Sequence, residues 1–94
     1  MDKKTEEFYA RLRQELAAAG TWPAEYLYKF IVPSDNHKIA QVEAAFNQMG
    51  AVIKTTQSKN GNFTSISVNV TMENPQHVIE KYIEVSAVEG IISL

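Results

Sequence analysis

From Phe63 to Met72 the chain alternates cleanly. Ile66, Val68, Val70 and Met72 fall on one side, and Ser65, Ser67, Asn69 and Thr71 on the other. A period of two with one apolar side predicts a strand that packs one face on a core and turns a polar face outward. A preceding strand starts at Val52, and Ser58-Lys59-Asn60-Gly61-Asn62 joins the two. Asn-Gly between alternating runs predicts a hairpin, whose favoured tight turn needs φ > 0 at both central residues. Tyr26–Val32 reads as another strand, rich in aromatic and β-branched residues. Tyr26, Tyr28, Phe30 and Val32 share one side, and Leu27, Lys29 and Ile31 the other. Both sides are largely apolar, so a central strand covered on both faces is expected.

Elsewhere the period lengthens to that of a helix. Residues 5–19 carry a narrow stripe of Phe8, Leu12 and Leu16, with Thr5 as the expected cap, Glu6 and Glu7 at the positive end of the dipole, and Gly20 as the stop. Thr21-Trp22-Pro23-Ala24 is a linker. After the break at Pro33-Ser34-Asp35-Asn36, Ile39, Val42, Phe46 and Met49 mark a second helix closed by Gly50. Asn74 and Pro75 start a third, whose expected buried stripe is Val78, Ile79, Tyr82 and Ile83. Gly90 then turns the chain into a last strand, Ile91 to Leu94.

The order is a helix followed by β-α-β-β-α-β. That order predicts an α+β, ferredoxin-like sandwich, with two helices on one face of an antiparallel sheet of strand order 4-1-3-2. The N-terminal helix is an addition to it. Residues 1–21 form this helix and linker, and residues 22–94 the ferredoxin-like domain.

Composition narrows the function more than it names it. With 94 residues, 45% hydrophobic and 21% charged, the chain is one small globular domain. Nine basic against eleven acidic residues give a net charge of −2, which offers no general attraction to nucleic acid. The absence of cysteine excludes disulfides, thiolate nucleophiles and cysteine metal sites. No apolar run suggests a membrane span, and Met1-Asp2-Lys3-Lys4 lacks the apolar core of a signal peptide, so a cytoplasmic location is expected.

Candidate chemistry is sparse. His37 and His77 begin helices that start at opposite ends of this topology, which argues against a shared metal site or relay. Acylphosphatase, a fold-mate, places an arginine in the loop after the first strand, whereas Pro33-Ser34-Asp35-Asn36-His37 has none. Ser65 and Ser67 have no evident base. RNA-recognition modules share the element order but carry outward aromatics on the third strand, where Ser65, Ser67 and Asn69 stand here. One end of the fold does gather polar groups: loop 33–37, hairpin tip 59–62 and the turn at Glu89-Gly90. Its ligand candidates are Ser34, Asn36, Lys59, Asn60 and Asn62, beside a helix N-terminus suited to a carboxylate. Neither a metal nor a cofactor is expected.

The run Gln57-Ser58-Lys59-Asn60-Gly61-Asn62-Phe63-Thr64-Ser65-Ile66-Ser67-Val68 resembles the signature of the YbeD-like family of small bacterial proteins. The resemblance extends back to Trp22-Pro23 and Tyr28-Lys29 and forward through Ile79 and Tyr82, over residues 22–94. It implies a ferredoxin-like fold similar to ACT-type regulatory domains of amino-acid metabolism. It further implies a small regulatory or ligand-sensing protein and not an enzyme, with no active site to carry over. The expected ligand is a small carboxylate metabolite, and the expected protein partners are a second copy or a regulatory target. The alternative is an interaction or assembly module without a small ligand, resting on exposed sheet edges and the amphipathic extra helix.

Overall fold

The computed structural model describes residues 1–94. Its elements are α1 (Lys3–Ala19), β1 (Ala24–Pro33), α2 (Asn36–Ala45), β2 (Val52–Gln57), β3 (Phe63–Met72), α3 (Pro75–Val85) and β4 (Ile92–Ser93). The four strands form one antiparallel sheet in the order β2-β3-β1-β4, which is the ferredoxin-like arrangement expected from the pattern. Ten residues of β1 pair with ten of β3, from Ala24 opposite Met72 to Pro33 opposite Phe63. These two strands are the frame of the molecule.

Alternation decides which side of that frame is dry. Tyr28, Phe30 and Val32 of β1 are buried together with Thr64, Ile66, Val68, Val70 and Met72 of β3. Val42, Ala45 and Phe46 from α2 and Val78, Ile79, Val85 and Val88 from α3 and its C-terminal turn close the layer above them. Tyr28 is the centre: its ring lies 5.0 Å from that of Phe46 and 4.9 Å from that of Tyr82. Its hydroxyl donates to the Val78 carbonyl at 3.1 Å, which satisfies the one polar atom that burial would otherwise strand. Lys81 ties the two core helices. Its ammonium donates to the Ala45 carbonyl at the end of α2 (2.6 Å) and pairs with Glu84 (3.0 Å), an arrangement that suits the negative end of a helix dipole.

The other side of the sheet carries no covering layer, and the expectation that β1 is covered on both faces is corrected here. Leu27 is 52% exposed and Lys29 is exposed. A two-layer fold with both core helices on one side leaves the second face to solvent whatever its residues. Three local expectations are also corrected. Asp2, not Thr5, caps α1: its carboxylate accepts from the Thr5 N–H at 2.7 Å, and that hydrogen bond holds its pKa below the usual aspartate value. In the hairpin only Gly61 has positive φ (78°); Ser58 and Phe63 close a loop of four residues with Asn60 outside the left-handed region. Ile83 is 36% exposed, because α3 turns its outer flank to solvent beyond Tyr82.

Gly90 is a position where only glycine fits. Its φ is +83°, and a Cβ there would stand 3.0 Å from the Pro33 ring. Gly90→Ala is therefore expected to cost about 2 kcal/mol in urea unfolding, from left-handed strain plus the contact. Gly20→Ala, at φ −171° and with open space around it, should leave stability unchanged or slightly raised.

α1 lies on its own domain. It packs alongside α3, with Arg13 donating to the Gln76 side-chain oxygen at 2.8 Å. Trp22, in the linker and followed by a cis Trp22–Pro23 bond, donates its indole N–H to the Leu16 carbonyl at 3.2 Å. No α1 residue is fully buried.

Candidate functional site

The end of the fold expected to hold a ligand is assembled, but the Ser34 and Asn60 side chains are engaged within it. The Ser34 N–H donates to the Asn62 carbonyl at 2.9 Å, and the Ser34 hydroxyl is bonded to that of buried Thr64 at 2.8 Å. Gly90 abuts Pro33. The loop, the hairpin tip and the last turn therefore do meet. At the start of α2, however, the Asp35 carboxylate accepts from the His37 N–H at 2.8 Å and already occupies the place an incoming anion would take. The Asn60 side-chain Oδ1 accepts from the Ser58 hydroxyl (3.0 Å) and from the Asn62 N–H (3.1 Å), so it holds the turn. Asn36 and Lys59 are exposed and make no side-chain hydrogen bond within the chain. A shallow depression beside Lys59 and Asn60 is lined by Ser58 and Phe63.

The histidines are as far apart as the topology requires. They follow the ends of β1 and β3, and the β1–β3 register puts those ends nine residues apart, about 30 Å. The His77 ring accepts from the Glu73 N–H at 3.3 Å, closing the turn into α3. No group of three or more His, Asp or Glu side chains is placed to hold a metal.

A concavity of about 410 Å³ lies on the open face of the sheet. The strand registers build it in cross-strand rows. Lys29, Ser67 and Lys54 are opposite one another on β1, β3 and β2, and Leu27, Asn69 and Val52 form the next row. Glu25 and Thr71 follow at the far end. The middle strand supplies short side chains and the flanking strands long ones, so β3 becomes a floor between two walls. Ser67 is accordingly half-buried although it points away from the core. Flanking strands stand about 10 Å apart across a middle one, so two lysine side chains can converge on one small anion above Ser67. Both lysines are free: the Lys81–Glu84 contact is the chain's one ion pair, and neither Lys29, Lys54 nor Ser67 makes a side-chain hydrogen bond. Lys29 and Lys54 interrupt otherwise apolar or neutral runs, and that interruption was the sequence signal for this row. Joining them needed the pairing of β1 with β3.

A second concavity lies between α1 and the edge of β1. Phe8, Tyr9 and Leu12 face Tyr26, Tyr82, Ser93 and Leu94 around about 260 Å³. The Tyr26 and Tyr82 hydroxyls are 2.8 Å apart on its wall. Burial first, then the hydrogen bond to Tyr26 and the neighbouring tyrosine charges, push the Tyr82 pKa well above the ordinary tyrosine range. Burial and the charge of Tyr26 do the same to Tyr28. In the unfolded chain these groups lose their protons near pH 10. The folded chain keeps them, so above that pH the unfolded state binds fewer protons and is favoured. These two groups are expected to leave stability unchanged from neutrality to about pH 10 and to lower it beyond, with phenolate absorbance of the two tyrosines rising only as the chain unfolds.

The fold and these surfaces define a small α+β, ferredoxin-like domain with an open sheet face and an added N-terminal helix. Residues 18–94 match the family described as "Protein of unknown function (DUF493)", and the chain belongs to that family, the YbeD-like proteins. Neither a curated protein nor a solved structure gives a significant match. The match begins inside α1, so most of that helix lies outside the family's common part. No helix is long and apolar enough to cross a membrane.

Proposed function

We propose that this chain is a non-enzymatic regulatory module that senses a small carboxylate metabolite on the open face of its sheet, in the manner of ACT-type domains. The observation that carries the reading is the Lys29–Ser67–Lys54 row. It offers two unpaired ammonium groups and a free hydroxyl in one concavity, with the apolar Leu27–Val52 row beside it. Ammonium donors to a carboxylate make the stronger class of hydrogen bond. The expected site at Ser34, Asn36, Lys59, Asn60 and Asn62 offers less, because Ser34 and Asn60 are engaged locally and Asp35 fills the helix start. The Ser34, Ser58 and Ser86 hydroxyls are held by Thr64, the Asn60 side chain and the Ile83 carbonyl.

A thermal-shift panel of amino acids, keto acids and short aliphatic carboxylates tests the reading. A ligand at a hundred times its Kd adds about 2.7 kcal/mol, and amide resonances of Lys29, Lys54 and Ser67 should move with it. A flat response across the panel would sink the idea.

The interaction-module reading has its own observation. Leu27, Val52, Phe63 and Ile92, each about half exposed, all lie on the same open face, and apolar area collected on one side marks binding surfaces. The β2 edge strand, Val52–Gln57, is also exposed except at Ile53. Light scattering separates the readings: a homodimer that is insensitive to the panel and dissociates in Leu27→Asp favours the second.

A further inference from the structure

The cavity beside α1 has a composition that its packing role does not explain. Its walls are apolar: Phe8 and Leu12 on one side, Leu94 on another, and the Tyr26 and Tyr82 rings behind. Tight packing would have closed such a space, yet about 260 Å³ remains open and Phe8 is 55% exposed at its mouth. β4 is the reason. It pairs with β1 only at Phe30 and Ile31, which leaves the Tyr26 stretch of β1 without a strand on that side. α1 lies across this gap without a fully buried residue of its own.

The polar atoms in the wall are incompletely used. Tyr26 and Tyr82 share one hydrogen bond between two hydroxyl groups, and neither has another partner in the chain. Two hydroxyl hydrogens and one mutual bond leave one donor without a protein acceptor. The Tyr28 hydroxyl, by contrast, is fully engaged by the Val78 carbonyl. The Ser93 hydroxyl, also in the wall, makes no hydrogen bond within the chain. An apolar enclosure with a few convergent polar groups is the usual form of a small-ligand site. A benzene-sized molecule fills a cavity of roughly 150 Å³, so this one admits a ring with a short arm.

We infer that the space between α1 and the Tyr26–Tyr82 pair is a ligand site, distinct from the sheet-face concavity, for a small molecule with an aromatic body and one hydrogen-bond-accepting oxygen. The ring lies against Phe8, Leu12 and Leu94, and the oxygen accepts the hydroxyl hydrogen that the tyrosine pair leaves over. Because α1 supplies the outer wall and lies mostly outside the family match, the site belongs to this chain's extension.

Phenylacetone and isobutylbenzene have the same shape, with a carbonyl oxygen in one where the other has a methyl group. Each is titrated into the full chain and followed by amide resonances. The ketone should produce saturable shifts at Phe8–Leu12 and Ser93–Leu94, and Phe8→Ala, an exposed position, should weaken it by tenfold or more. Tyr26→Phe with Tyr82→Phe removes both hydroxyls together and leaves no orphaned partner, so the fold is kept. That pair should weaken the ketone about tenfold, the worth of one hydrogen bond, and leave isobutylbenzene unchanged. Absence of saturable shifts at millimolar ketone overturns the inference. So do shifts confined to Lys29, Ser67 and Lys54, which would speak only for the sheet face, or a double variant that binds the ketone as well as the natural chain.

Discussion

Phe30→Ala is expected to lower the unfolding free energy by about 3–5 kcal/mol. Phe30 is 1% exposed, with its ring 5.6 Å from Tyr28 and 6.3 Å from Phe46. Truncation loses the transfer free energy of the ring and leaves a cavity that two rings and a β-strand cannot collapse into. A domain of this length has a total stability of roughly 5–14 kcal/mol, so the variant stands near the edge of folding. Leu27→Ala, three residues earlier on the opposite side of β1, removes a side chain that is already half in water. It should change stability by less than about 0.5 kcal/mol. Urea denaturation of the two variants side by side checks the contrast. Equal losses would mean that the open face is buried in solution, as a tight dimer would require.

Charge reversal on the sheet face should have the largest effect on binding. Lys29→Glu with Lys54→Glu turns the row over Ser67 from two cations to two anions, and carboxylate affinity should fall by about a hundredfold. Both positions are exposed and unpaired, so far-UV circular dichroism and the thermal midpoint without ligand should stay near those of the natural chain. Glu25→Gln, at the other end of the concavity, should act in the opposite direction and strengthen an anion modestly. Raising salt should weaken the natural interaction, because the lysines are open to solvent. A double variant that keeps its carboxylate affinity would remove Lys29 and Lys54 from the site.

Most of the fold was legible along the chain because its signals are local. The alternation of β3 assigned Ile66, Val68, Val70 and Met72 to the core, and all four are buried. Asn74 and Pro75 began a helix, and Asn74 accepts from the His77 N–H as a cap should. The hairpin was legible as a turn but not as a turn type. Asn-Gly suits a tight two-residue turn, whereas the Ser58 side chain, which bonds both Asn60 and the Phe63 N–H, stabilises a wider one. The cap of α1 was misplaced by three residues for a related reason. Thr5 and Asp2 both suit an N-cap, and only the backbone path shows which carbonyl begins the ladder.

The site was less legible, because it depends on partners distant in sequence. Ser34, Asn36, Lys59, Asn60 and Asn62 lie in loops that meet at one end, but which hydrogen bonds they make with one another is decided by loop geometry. The Ser34–Thr64 and Asp35–His37 bonds have no marker in composition. Along the chain Ser67 is one of the polar positions of β3, and Lys29 and Lys54 are single charges on two other strands. Only the β1–β3 and β2–β3 registers set them in one row. Likewise nothing local connects Phe8 with Tyr82. The two line one cavity because α1 folds back along α3 and β4 is too short to fill the gap.

By itself, then, the sequence determined the element order, the ferredoxin-like class, the buried face of the sheet and the family, since periodicity, caps and the hairpin signature are properties of adjacent residues. The tertiary structure alone decided that the second face of β1 is open, that α1 rests on its own domain, and where unpaired polar groups face a concavity. Those outcomes depend on which strands become neighbours and which layers exist to cover them, and side chains far apart in the chain acquire a common surface only once the sheet is assembled.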